Sequence, residues 1–179
     1  KWLGEEGAAA PVTAAAAISP PFRLDRAADR LDSGLSRLYQ RYLLTTLNRA
    51  LAAKYAACPA ACPVPPDRLA RLRSFRAFDD AFTAPVHGYA GVDDYYARAS
   101  ARQFLGGVAV PTLIVHSLDD PFTTPDAVPD PAELAPAVHL ELFRQGGHVG
   151  FVAGAVPFRP RYWLEERVPA FLRGALQRP

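Results

Sequence analysis

Two polar clusters in this 179-residue chain have residue types that could share acid–base chemistry. The first, HSLDDPF (116–122), presents the carboxylates Asp119 and Asp120. The second, QGGHVGF (145–151), presents His148 in a glycine-rich turn. A general base needs this pairing. One imidazole nitrogen takes a proton from a nucleophile, while a carboxylate at the other fixes the tautomer and stabilises the imidazolium. Gly146 and Gly147 would let the backbone turn sharply and hold His148 clear of the chain. Taken singly, each cluster is weak: Asp-Pro is ordinary turn chemistry, and a Gly-Gly-His sequence suits a plain loop histidine equally well. What joins them is their position, each just after a predicted strand.

Residues 12–19 (VTAAAAIS), bounded by prolines, predict a buried strand, although alanine is a poor strand former. PTLIVH (111–116) is an unbroken apolar run, which suits a strand covered on both faces of a parallel sheet. AVHLELF (137–143) alternates, with Val138, Leu140 and Leu142 on one side and His139, Glu141 and Phe143 on the other, which suits a strand nearer the sheet edge. Strands alternating with helices predict an α/β fold with a mostly parallel sheet, in which ligands bind beyond the carboxyl ends of the strands. Both clusters lie at such ends.

Helices are expected at 33–54, at about 67–82 and 91–105, and at 161–176, where Pro169 should kink the helix or start a second one. Residues 57–67 and 83–89 read as irregular. In the 33–54 helix, Leu35, Leu38, Tyr39, Tyr42, Leu43, Thr46, Leu47, Ala50 and Leu51 follow a helical rhythm and predict the core-facing stripe. Gln40, Arg37, Arg41 and Arg49 should face outward. The alternative is a helix that also roofs a substrate pocket. The helical stretch from about 23 to 105 is too long for a simple crossover, so it reads as a cap. Three regions result: 1–22, a helix end and strand; 23–105, the cap; and 106–179, the α/β portion with both clusters.

Composition narrows the function classes. Half the residues are hydrophobic and the net charge is +2, with the arginines scattered, so nucleic acid is not an expected partner. No run of about 18 apolar residues predicts a membrane span. Cys58 and Cys62 lack nearby companions for a metal site and read as plain thiols, which fits a reducing, cytoplasmic setting. The bland readings of other polar residues are a core His116, an exposed His139, a structural His87, and solvated or capping pairs at Asp79-Asp80 and Asp93-Asp94. Phe122, Phe151 and Trp163 read as packing residues.

The segments KWLGEEG (1–7), RLDSGLSRLYQRYLL (30–44), SFRAFDDAFTAPVHGYAGVDDYY (74–96), PTLIVHSLDDPF (111–122) and GGHVGF (146–151) together resemble the bacterial YheT-type branch of the α/β-hydrolases, a branch similar to the mammalian ABHD-type lipid hydrolases. The resemblance runs along nearly the whole chain. It implies carboxylic ester hydrolysis by a Ser-Asp-His triad with no cofactor and no metal. Carried over, His148 becomes the general base and Asp120 the acid, with Asp119 as the alternative.

The departure from the family pattern is the missing G-x-S-x-G elbow that holds the serine between a strand and a helix. Ser33-Gly34-Leu35-Ser36-Arg37 does not match it. In the family, KWLGEEG closes the helix after the elbow, so the serine is expected a few residues before Lys1, and the chain is expected to be the C-terminal part of the fold. Alone, it should lack nucleophile and oxyanion donors and be inactive. It should also expose surface the lost strands would cover, and so aggregate. Two alternatives stay open: an aspartate nucleophile, as in dehalogenases, and a non-catalytic binding module derived from a hydrolase.

Overall fold

The computed structural model describes residues 1–58, 62–154 and 159–177. In chain order the elements are α1 (Trp2–Glu6), β1 (Ala15–Ile18), α2 (Leu24–Leu31), α3 (Ser36–Ala56), α4 (Pro66–Leu69), α5 (Phe75–Phe78), a π-helical turn (Asp79–Thr83), α6 (Ala84–Val86) and α7 (Val92–Ala99). A 3-10 segment (Arg102–Gly107) then leads to β2 (Thr112–Ser117), β3 (Val138–Phe143), β4 (Val152–Ala153), β5 (Arg161–Tyr162) and α8 (Trp163–Leu176). They form two compact units, one of Lys1–Phe22 with Ser100–Pro179, the other of Arg23–Ala99. No helix among the described residues is long and apolar enough to cross a membrane.

In the first unit, β1, β2 and β3 make a parallel sheet in the order β1-β2-β3, with Ala15 opposite Thr112 and Thr112 opposite Val138. All six residues of β2 are buried, because both faces of the strand are covered. Leu113 and Val115 point to one side, where Phe151, Phe143 and the Trp163, Leu164, Val168 and Phe171 stripe of α8 pack. Ile114 points to the other, against Phe22, Leu105, Leu134, Val138 and Leu140. The alternation of β3 follows the same geometry. His139 is exposed, and Glu141 accepts a 2.8 Å bond from Arg167 of α8. α8 is one helix through Pro169 rather than two. The hairpin of β4 and β5, antiparallel and two residues long on each side, carries no period that its sequence could reveal.

Gly4 explains the glycine of KWLGEEG. A Cβ there would lie 1.9 Å from the Phe104 carbonyl oxygen, so α1 can lie against the 3-10 segment only without a side chain at that position.

The second unit is helical and corrects the expected orientation of α3. Leu35, Leu38, Tyr39 and Tyr42 are 82%, 64%, 51% and 70% exposed, whereas Ser36, Gln40, Leu44 and Leu51 are buried. Gln40 can be buried because both ends of its amide are satisfied. Its Nε2 donates to Asp32 at 3.0 Å and its Oε1 accepts from the Phe75 amide at 3.0 Å. Leu44 and Leu51, with Leu47 at their edge, pack on Val64, Leu69 and Phe78. Apolar periodicity alone could not choose between the two faces.

Two other expectations change. Of the stretch 83–89, expected to be irregular, 83–86 continues helically from the π turn into α6, while 87–89 belongs to no regular element. Asp79 is not a solvated face: its carboxylate accepts from the Thr83 hydroxyl at 2.6 Å and the Tyr96 hydroxyl at 2.8 Å. Burial pushes that carboxyl above its ordinary range, and the two hydrogen bonds oppose the shift. Asp80 does cap, accepting the Val92 amide at 3.1 Å, and Asp93 pairs with Arg76 at 2.6 Å. Cys58 and Cys62 are free thiols. Part of the 57–67 loop, at 59–61, lies outside the described residues.

Candidate active site

The carboxyl ends of β1, β2 and β3 converge on one small constellation in the first unit. After β2 the chain turns through Leu118 and Asp119 to Asp120, whose side chain is 1% exposed. Its Oδ1 accepts the Phe122 amide at 2.8 Å, an Asx-type turn set up by the Asp-Pro sequence. Its Oδ2 lies 2.9 Å from His148 Nδ1. An ionised carboxylate there requires Nδ1 to carry the proton, which leaves Nε2 with its lone pair free. The His148 side chain is 35% exposed, and its ring has no other hydrogen bond among the described residues. The Phe122 ring lies 4.5 Å from the imidazole, centroid to centroid. Phe122 thus packs directly against the histidine.

The two aspartates divide the labour. Asp119 does not meet His148. Its Oδ1 accepts the amides of both Gly146 and Gly147 at 2.9 Å. These amides, that of Gly147 foremost, hold the Asp119 carboxyl below the ordinary carboxylate range.

The same turn is clamped from the ends of β2 and β1 as well. Ser117 Oγ donates to the Gly147 carbonyl at 2.6 Å, and Ser19, at the end of β1, donates its hydroxyl to the His148 carbonyl. Gly147 sits at φ +62°, where a side chain is strained. A Cβ at Gly146 would lie 2.7 Å from the Phe151 ring. The glycines therefore answer two different demands, one conformational and one steric.

Neither Ser19 nor the clamping role of Ser117 carries a signal in the sequence. Ser19 is non-glycine at φ +46°, and its strand, rich in alanine, gave no sign of a functional end. His116 is fully buried, with neither ring nitrogen hydrogen-bonded among the described residues, and its ring is 5.3 Å from that of Phe22. Burial pushes its pKa down; the nearby Asp120 charge pulls the other way. His87 and His139 are exposed. Phe151 and Trp163 pack in the core beneath it.

A parallel sheet with polar residues at its carboxyl ends is the frame on which α/β enzymes build their sites. The chain belongs to the α/β hydrolase fold family, whose profile matches residues 8–155. It is similar to the putative esterase YheT of Escherichia coli K12, with 43% identity over 175 residues, covering 98% of this chain and 51% of that protein. It is also similar to human phospholipase ABHD3, with 34% identity over 162 residues, covering 90% of this chain and 39% of that protein. A monoacylglycerol lipase of Saccharomyces cerevisiae is 29% identical over 177 residues, covering 96% and 39% respectively. The chain thus spans about half, or less, of the length of the curated relatives it matches. No solved structure matches it.

Proposed function

We propose that this chain supplies the acid, Asp120, and the base, His148, of a Ser-Asp-His triad that hydrolyses carboxylic esters of short- to medium-chain acyl groups or lipids. The serine lies N-terminal to Lys1, and residues 1–179 alone are inactive. The observation that carries the reading is the 2.9 Å contact between His148 Nδ1 and the buried Asp120 Oδ2. Support also comes from the relatives, whose names are those of an esterase, a phospholipase and a monoacylglycerol lipase.

In this mechanism His148 Nε2 accepts the serine Oγ proton as Oγ bonds to the ester carbonyl carbon. The Asp120 charge stabilises the resulting imidazolium. That imidazolium protonates the alkoxide as the ester C–O bond breaks, leaving an acyl-serine; the same nitrogen then deprotonates a water as it attacks the acyl carbon, and returns that proton to the serine Oγ as the acid is released. No cofactor or metal takes part. The regional division 1–22, 23–105 as a helical cap and 106–179 belongs to the same proposal, as do a small-molecule ester substrate and a cytoplasmic setting.

The test is hydrolysis of a p-nitrophenyl ester by the complete protein and its His148→Ala variant. The expected loss in kcat/KM is on the order of a thousandfold or more. Unchanged hydrolysis in a folded variant would refute the assignment.

A further inference from the structure

The second unit has a surface that the triad leaves unused. Leu35, Leu38, Tyr39 and Tyr42 form an exposed apolar strip at the start of α3. Beside it runs a cleft of about 600 Å³, floored by Leu44 and Leu69 and lined by Arg37, Arg41, Arg49 and Arg73. None of these four guanidinium groups has an ion pair among the described residues. No Asp or Glu lies between Asp32 and Asp67, whereas Arg37, Arg41, Arg49 and Lys54 all do. On the cleft wall, Asn48 donates Nδ2 to the Leu69 carbonyl at 3.2 Å, and its Oδ1 is buried without a partner.

We propose that this face docks on an anionic phospholipid surface, the apolar strip entering the headgroup layer and the arginine cleft taking the lipid phosphate. The outer side of α3, a 21-residue helix, presents an apolar strip, and cations are the helix's only charges, a combination that suits contact with an anionic interface. Leucines enter the boundary, while tyrosines suit its mixed apolar and polar depth. Separately, several unpaired guanidinium groups around one cleft favour a multi-oxygen anion, since each presents a planar fork of donors to phosphate oxygens. The apolar floor then favours an anion that carries hydrocarbon over a bare ion. The orphaned Asn48 acceptor suits a headgroup hydroxyl. The proposal rests on this surface and not on Asp120 and His148.

The experiment is flotation of the complete protein with phosphatidylcholine vesicles and with phosphatidylcholine vesicles containing phosphatidylglycerol. Binding to the phosphatidylglycerol vesicles alone, weakening as salt is raised, is expected. Replacing Arg37 and Arg41 together with serine should weaken it on the order of tenfold or more. Replacing Leu38 and Tyr42 together with serine should do so as well. Both pairs are on the surface, so retained thermal unfolding verifies the fold, and the wild-type salt series tests the electrostatics without any variant. Equal binding to both vesicle types, no binding to either, or undiminished binding by both variants would overturn the proposal. So would release by inorganic phosphate at constant ionic strength, which would mark a site for the free anion. A dimer that dissociates on the Leu38→Ser, Tyr42→Ser change would assign the face to a second copy and overturn it too. Flotation reads no ester chemistry, so its failure and the failure of the triad are separate results.

Discussion

Asp119 accepts the backbone amide of Gly147, the residue before His148, at 2.9 Å. Its neighbour Asp120 reaches the His148 ring itself at the same distance. Two adjacent carboxylates thus fix the backbone and the ring of one histidine. They should separate on mutation. In the complete protein, Asp119→Asn keeps an acceptor oxygen for both amides and should lower kcat by less than about tenfold. Asp119→Ala removes the acceptor and should cost on the order of 10- to 100-fold, whereas Asp120→Asn should cost on the order of 1,000- to 10,000-fold. Steady-state kinetics of the three variants on one ester checks the order.

His116 makes the fold acid-sensitive. Its folded pKa is lowered by burial, so the unfolded chain takes up a proton first. The stabilising effect of a neutral His116 is therefore fully present above the unfolded value of about 6.5 and declines as pH falls below it. With neither nitrogen hydrogen-bonded among the described residues, His116→Leu removes a desolvation cost and keeps an apolar side chain against Phe22. Denaturant melts from pH 7 to 5 should show the variant at least as stable as wild type at pH 7 and less pH-dependent below. A larger loss for the variant at pH 5 than at pH 7 would contradict this.

Glu133 contributes in a lower window. Hydrogen bonds from Arg102, 2.6 Å away, hold its carboxyl down to about 2. A depressed carboxylate pKa gives stability that is present above the unfolded value, near 4.5, and lost as pH falls toward 2. The pair is partly exposed, so solvent screening limits its worth to about 1 kcal/mol or less. Glu133→Gln should lower the melting temperature slightly at pH 7 and not at all at pH 2, as measured by calorimetry.

Gly4 tests the packing of α1. Gly4→Ala places a methyl group on the Phe104 carbonyl, and overpacking of this kind costs about 1–3 kcal/mol. Gly174→Ala, on α8 with open space at that position, is the matched control and should be neutral or slightly stabilising. Urea melts of the two variants read the difference.

β2 and β3 were legible from their apolar patterns, whereas β1 was marked only by the prolines around a run of alanines. PTLIVH is buried on both faces, whereas the alternation of β3 marks its two faces but not their burial, since Leu142 is 45% exposed and Phe143 packs beside Leu113 and Val115. Asp120 and His148 were legible as a pair, since both follow strands that turned out to be hydrogen-bonded neighbours. What was not legible depended on tertiary context. The outward face of α3 has the same helical period as a core stripe, and only the satisfied Gln40 reveals which side is inward. Ser19 follows a run of alanines with no polar pattern, and its bond to the His148 carbonyl spans 129 residues. The burial of Asp79 depends on Tyr96, 17 residues along, so its sequence looks like that of any capping pair.

The most direct measurement of the central claim is labelling by a serine-directed fluorophosphonate. The complete protein should be labelled rapidly on one serine N-terminal to Lys1. The Asp120→Asn and His148→Ala variants should be labelled at least about a hundredfold more slowly, and residues 1–179 alone not at all. Rapid labelling of either folded variant, or of a serine within residues 1–179, would contradict the assignment of Asp120 and His148 to the triad.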